Sequence, residues 1–430
     1  MSDTHAKNND AEGGKPDGAS DGDDDRIVTF SEILGNREAA GLFGAFSLST
    51  AGSMLMRVAL TFLVFNATDS PFLATLAFGI TYAPYLGFAQ ILGAFTDRFP
   101  YRTVMVTADI TRAILIGTLA IPGIPVPVML VIVFISAMML PAYHAARTAM
   151  LPQVLKGEAL STALALNMTV SQASQLSGYF LGGVLAAINP HVALGLNAAA
   201  FAIAAIVVLV TVEHRPATQP AERKNLLAET ADGLKLVFGD SMLCAIALAV
   251  FFLAAFTIVP EASAVLWADH LDGGAILQGT IMASAPLAAI ISAIVFTRFI
   301  RPSTRRKLMK PMMMTAPLAL VPAFFDPPTA FVIVIAVVCN LMLGGMASLN
   351  ATFNRAVPEG YRGRTNTIMM GGLSLIQGLS IVGIGLVVSL GVPTPTTVGI
   401  WGVAGIIIMG LLLLIWPSAE QFKEREAQTA

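Results

Sequence analysis

Long apolar runs alternate with short polar turns from residue 39 to residue 416. A helix that crosses a membrane takes ~20 mostly apolar residues. Twelve runs come close to that length: 39–66, 72–95, 103–122, 126–147, 161–188, 192–213, 241–262, 275–299, 308–325, 329–352, 367–390 and 396–416. The turns are short except for 214–240, which separates six runs from six. Its second half sets Leu226, Leu227, Leu234, Val237 and Phe238 among polar residues, a pattern that predicts an amphipathic helix lying on a membrane surface. The pattern as a whole predicts an all-α membrane protein of twelve transmembrane helices in two six-helix bundles. Its segments are a tail at 1–38, bundles at 39–213 and 241–416, the linker 214–240 between them, and a tail at 417–430.

Composition points the same way. Of the 430 residues 55% are hydrophobic and 12% are charged, against roughly 25% charged in soluble domains. The stretch Met1–Arg26 is different material. It is rich in Asp, Gly, Asn and Ser, has no aromatic residue and ends in the acidic run from Asp21 to Asp25, so it is expected to be disordered. It lacks the basic start and short apolar core of a signal peptide. The two cysteines, Cys244 and Cys339, lie inside apolar runs, which speaks against a disulfide framework. No Cys/His spacing suits a metal, and no cofactor is expected. The net charge of -2, with no basic cluster outside the loops, gives no reason to expect a nucleic-acid partner. No G-x-x-x-x-G-K-[ST] occurs, so the chain is not expected to use ATP directly.

Orientation follows from Lys and Arg, which favour cytoplasmic loops. With both termini inside, every Lys and Arg except Arg57 and Arg112 falls on the inner side. Arg98 and Arg102 take one inner turn, Arg147 and Lys156 the next, and Arg215, Arg223, Lys224 and Lys235 the linker.

The turn between the second and third runs reads GAFTDRFPYRTVM from Gly93 to Met105. Its Gly93, Asp97, Arg98 and Arg102 resemble the signature loop between helices 2 and 3 of the major facilitator superfamily. Asp97 ends a helix where it can face the positive N-terminus of a neighbour, and the arginines can bind carboxylates or lipid phosphates. The resemblance implies that this loop gates, latching two halves in the outward-facing state; the alternative is that these residues are ordinary anchors of a tight turn. The halves also echo each other. FTDRF at 95–99 recurs as FTRF at 296–299, and Leu151-Pro152 with Gly157 recurs as Val357-Pro358 with Gly363. Parallel six-helix repeats joined by a long inner loop suit alternating access.

A finer resemblance rests on Pro141-Ala-Tyr-His-Ala-Ala-Arg147 with Leu151-Pro152, and on Val357-Pro358-Glu359 with Arg362-Gly363-Arg364. These are similar to the mainly bacterial subgroup of enterobactin and macrolide exporters. In the fifth run, Gly178-Tyr-Phe-Leu-Gly182-Gly183 resembles the Gly-Pro-x-x-Gly-Gly motif of drug–proton antiporters, with Tyr179 where that family has proline. The glycines Gly178, Gly182 and Gly183 would allow close helix approach.

A charge inside a span costs about 2.5–3.5 kcal/mol on insertion scales and is a functional candidate by default. Asp109 and Arg112 are three apart and share a helix face; they form either a structural ion pair or a proton-coupling site. Arg57 lies about 13 Å deep at 1.5 Å per residue, and Glu261 holds a similar depth in the seventh run. By the resemblance, the first and seventh helices face each other across the cavity. Arg57 and Glu261 are therefore read as an outer-gate or proton-sensitive pair, against the alternative that Arg57 snorkels outward and Glu261 is already in water. The amides Asn167, Gln172, Gln175, Asn340, Asn350 and Gln377 must find partners in lipid; they either line a cavity or join helices. Met54, Met138, Phe252 and Phe256 are candidates for an adaptable apolar cavity wall, or simply pack. His144 is expected to hydrogen-bond on the loop side.

The expectation is a secondary transporter, a monomer in the bacterial cytoplasmic membrane, in contact with lipid. It exports a small amphipathic or hydrophobic molecule such as a drug, a siderophore or another secondary metabolite. Protons flowing inward drive the export. The alternatives are an importer or facilitator of a metabolite and a transport-inactive receptor or scaffold. A membrane enzyme ranks third, since no loop cluster of Asp, Glu and His is present.

Overall fold

The computed structural model describes residues 28–85, 96, 98–216, 226–341, 349–350, 353–414 and 416. The N-terminal tail to residue 27, the stretch 86–95 with Gly93, Asp97, the linker portion 217–225 and the tail from 417 lie outside the described residues.

Each apolar run becomes helix over its described part. A short α1 (Phe30–Gly35) leads into α2 (Arg37–Thr68), whose first turn is capped by the Asn36 side chain accepting from the amides of Glu38 and Ala39. Then come α3 (Pro71–Gly79), α4 (Tyr101–Leu119), α5 (Val126–Val154), α6 (Glu158–Ile188) and α7 (Pro190–Thr211). The linker contributes α8 (Leu226–Gly239). The second half follows with α9 (Ser241–Thr257), α10 (Val259–His270), α11 (Gly274–Arg298), α12 (Pro302–Leu320), α13 (Thr329–Asn340), α14 (Arg362–Ser389) and α15 (Thr394–Leu414). Among the described residues, seven helical stretches are long and apolar enough to cross a membrane, with Ser241–His270 counted as one.

Proline sets where the spans are interrupted, because it lacks the amide proton and collides with the preceding turn. The second run passes from α3 into a 3₁₀-helix at Ile80–Tyr85 that contains Pro84. The ninth passes from α12 into a 3₁₀-helix at Val321–Phe325 that contains Pro322. The seventh, expected as one helix over 241–262, is two helices meeting at Ile258, with Pro260 in the first turn of the second. It also runs on to His270. Pro141 and Pro152 are tolerated within α5, so the fourth helix continues to Val154. Arg147, expected in a loop, is thereby a buried helix residue stacked over Phe46 at 3.7 Å.

The chain has a near end, where Arg215 pairs with Glu38, and a far end, where α2 stops at Thr68. At the near end, Arg102 donates to the carbonyl of Leu209 and Arg37 to that of Val210. Both guanidiniums thus cap the C-terminal carbonyls of α7, where positive charge is favoured. Arg102 was expected to hold a carboxylate or lipid phosphate; in the structure the helix end takes it. The linker helix α8 packs on α9 and α14: Val237 is fully buried, and a methyl on Gly233 would come within 2.6 Å of Ile368.

The two sequence halves meet along α3 with α14, and along α6 with α11. At the far end the Ser389 hydroxyl accepts from the amide of Phe72 at 3.1 Å. A methyl on Gly385 would lie 2.9 Å from the Pro71 carbonyl, so α3 and α14 touch backbone to backbone there. The largest apolar core runs through the second half and takes in Met54, Val58, Phe78 and Tyr179 from the first. Outward faces carry apolar residues such as Leu196, Ile203, Ile206 and Val210 on α7, a surface suited to lipid.

Candidate functional site

The glycines of α6 decide what can approach it. A methyl on Gly178 would lie 2.8 Å from the Met54 Cβ, and one on Gly182 would lie 3.0 Å from the Leu55 Cα, both on α2. On the next face, a methyl on Gly183 would lie 2.7 Å from the Ala275 carbonyl of α11. A methyl on Gly279 of α11 would in turn lie 2.7 Å from the Gly183 Cα. Helix α6 is therefore wedged between α2, in its own half, and α11, in the other.

That wedge aims Tyr179 into the seam. The side chain is 1% exposed. Its hydroxyl accepts from Arg57 Nη1 at 3.4 Å and donates to Glu261 Oε2 at 3.0 Å. The expected pair of Arg57 and Glu261 is thus a three-member relay with a phenol between the charges. The Arg57 guanidinium lies 5.4 Å from the ring centres of both Phe78 and Tyr82, which holds it by cation–π attraction and away from the surface. Glu261 stands in the first turn of α10, just past the break at Ile258. A helix N-terminus inside the bilayer favours a negative charge there. One turn farther along α2, Gln278 of α11 donates to the Thr61 hydroxyl and, at 3.3 Å, to the Val58 carbonyl. This is a second polar tie across the seam.

Asp109 and Arg112 form a separate network. Arg112 Nη1 lies 3.3 Å from Asp109 Oδ1, and the two side chains are 4% and 0% exposed. The Ser49 hydroxyl donates to Asp109 at 3.2 Å and accepts from Arg112 at 2.9 Å, while Ser53 accepts from Arg112 at 2.6 Å. The guanidinium also stacks over Phe201 of α7 at 3.8 Å. The pair therefore joins α4 to α2 and α7. Asp109→Ala leaves a buried guanidinium without its counter-charge, a change that costs about 3–5 kcal/mol. Thermal unfolding in detergent is expected to show a sharply lower midpoint for Asp109→Ala, and an unchanged midpoint would contradict this role.

The remaining candidates scatter. Met54 is buried with its sulfur 3.9 Å from Arg57 Nη1, so it borders the relay. Gln175 donates to Gln172 at 3.0 Å and to Ser171 at 3.1 Å, so these amides satisfy each other along one helix. Asn340 donates to the Ala336 carbonyl of its own helix. Phe256 is packed inside the second half, against the position of Gly405 on α15, and its carbonyl accepts from the Cys339 thiol; it is core rather than cavity wall. Phe252, Met138, Asn350 and Gln377 are half-buried. The Asn167 carbonyl oxygen is buried without a hydrogen-bond partner. His144, expected on the loop side, sits within α5 with its ring edge-on to Phe46 and Tyr143. Arg98 is exposed.

Sequence reasoning missed Tyr179 as a functional group, Tyr82, Gln278 and the helix break at Pro260. Two signals were present. A polar-tipped aromatic replaces proline between packing glycines, and a proline directly precedes an intramembrane glutamate.

The chain matches the model of the Major Facilitator Superfamily over residues 42–381. No curated protein matches it in sequence. Solved structures share its fold at low identity. The nucleoside transporter NupG superposes with a TM-score of 0.68 at 14% identity, over 87% of this chain and 98% of that one. A POT family transporter in complex with 5-aminolevulinic acid gives 0.73 at 12% identity, over 91% and 98%. A peptide transporter POT in complex with sulfate gives 0.70 at 13% identity, over 93% and 97%. With most of its length matched by the family model and its helices arranged as in these transporters, the chain belongs to the major facilitator superfamily.

Proposed function

We propose that this multi-pass membrane transporter of the major facilitator type works by alternating access, exporting a small amphipathic or hydrophobic molecule in exchange for protons. In this reading twelve spans cross the bacterial cytoplasmic membrane, both termini lie inside, and the far end faces out. The observation that carries it is the relay Arg57–Tyr179–Glu261. It sets a carboxylate of one half against a fixed positive charge of the other, in the seam where a path between the halves would run. A carboxylate that binds a proton there loses its charge, and its bond to the phenol becomes an ordinary, weaker one. The far-end contacts of Phe72 with Ser389 and of Gln278 with Thr61 put the protein in a state closed at that end.

The test is flux. Purified protein in vesicles, with a pH difference imposed, is offered a membrane-permeant fluorescent amphiphile. Movement of the dye against its gradient, only when protons run the opposite way, supports the reading. Flux in the same direction as protons would make the protein a symporter and overturn export by antiport. Equilibration indifferent to the pH difference would make it a facilitator, and the absence of any flux would leave a receptor or scaffold.

A further inference from the structure

We propose that Tyr179 is the switchable bond between the two halves: its phenol, held by Arg57, carries the proton state of Glu261 into the opening of the far end. This deepens the proton-coupled reading above and rests on it.

The geometry assigns the phenol this place. Arg57 on α2 and Tyr179 on α6 belong to one half, and their helices are locked together by Gly178 and Gly182. Glu261 on α10 belongs to the other half, so the 3.0 Å bond from Tyr179 to Glu261 must break when the halves part at the far end. The two bonds are ordered. Arg57 donates to the phenol oxygen, which makes the phenol proton a stronger donor to the carboxylate. Proline at position 179, as in the antiporter motif that the surrounding glycines resemble, would supply no such bond. The ring could not be moved aside cheaply either, because the glycine contacts on both faces of α6 fix its backbone.

Among the described residues, the titratable groups that face Glu261 are Arg57 from α2, Tyr82 from the 3₁₀-helix at Ile80–Tyr85, and Tyr179 from α6. Arg57 stays charged through the working pH range, and the two phenols stay neutral. Glu261 is then the member that changes charge, and Tyr179 the member that transmits it. With Glu261 ionised, the phenol holds the halves together. When Glu261 is protonated the charge-assisted bond becomes an ordinary one and the far end is released. Acidification therefore opens the far end, and alkalinisation closes it.

The experiment is a distance measurement that needs no substrate. Ile188 and Phe325 are exposed at the far end on opposite halves. Spin labels at Ile188→Cys and Phe325→Cys, with Cys244→Ala and Cys339→Ala, report the separation in lipid nanodiscs across pH. The parent protein is expected to widen as pH falls. Tyr179→Phe keeps the ring and loses the donor, so Glu261 binds its proton more readily and the midpoint should move up by about one pH unit or more. Adding Glu261→Gln should make the far-end distance independent of pH, with or without Tyr179. A fluorinated tyrosine at 179 is a stronger donor and should move the midpoint the other way, a shift that a merely packing ring would not give. The fluorinated protein also serves if Tyr179→Phe does not fold. Equal midpoints in all three proteins would overturn the role of Tyr179 while leaving proton-driven opening intact. A parent distance that ignores pH would overturn both.

Discussion

Replacing Glu261 with glutamine abolishes proton-driven accumulation and leaves exchange. An antiporter moving one solute per proton gains about 1.4 kcal/mol per unit of pH difference, enough for roughly a tenfold solute gradient. The amide keeps the size of the side chain and can still accept from Tyr179, so the fold and the seam survive. It cannot take up or release a proton. Vesicles of Glu261→Gln with a one-unit pH difference are therefore expected to show an accumulation ratio near one. The same vesicles, loaded with unlabelled solute and without a gradient, should still swap labelled for unlabelled solute. Accumulation at the wild-type ratio would remove Glu261 from the coupling path.

Gly183→Val is expected to stop transport without unfolding the protein. The added side chain would stand against the Ala275 carbonyl, 2.7 Å from the new Cβ, and against Gly279 at 3.0 Å. Overpacking of a tight contact typically costs about 1–3 kcal/mol. Here the contact lies between halves that part during the cycle, so the strain is relieved by propping the seam open. Thr61, 3% exposed behind that seam, then becomes reachable: Thr61→Cys should react with a membrane-impermeant maleimide from the far side only when Gly183→Val is also present. Gly178→Val is the contrasting case. Its neighbours Ala51 and Met54 belong to α2 in the same half, so relief requires α2 and α6 to separate within their bundle. That variant is expected to lower the thermal midpoint strongly. If the two variants behave alike, the division of α6 into a fixed face and a moving face is wrong.

How far the sequence could be read depends on which forces it displays. Helix positions were legible because lipid demands long apolar runs, and each run meets a helix over its described residues. The loop at Arg98–Arg102 and the packing glycines of α6 were legible as local patterns. The rotation of each helix was not. In lipid both faces of a span are apolar, so hydrophobic periodicity hardly marks the inward side. Phe256 looked like a cavity wall for that reason and packs instead against α15. The same gap hid the relay. Residues 57, 179 and 261 lie on three helices far apart in sequence, and only the glycine contacts of α6 bring its phenol between the charges. Arg102 illustrates a different limit. Its position at a helix start was plain, yet its partner is a backbone carbonyl at the end of α7, and a carbonyl leaves no mark in sequence.

By alternating access, solute crosses only if the two halves can move apart and together, and a disulfide between them would stop it. A methyl on Gly378 of α14 would lie 3.8 Å from the Tyr82 Cβ across the seam, the separation about which disulfides cluster, roughly 3.5–4.5 Å. In a protein carrying Tyr82→Cys and Gly378→Cys, with Cys244→Ala and Cys339→Ala, oxidation is expected to halt dye flux in vesicles. Reduction should restore it to the level of Tyr82→Cys alone. Undiminished flux through fully cross-linked protein would contradict the account.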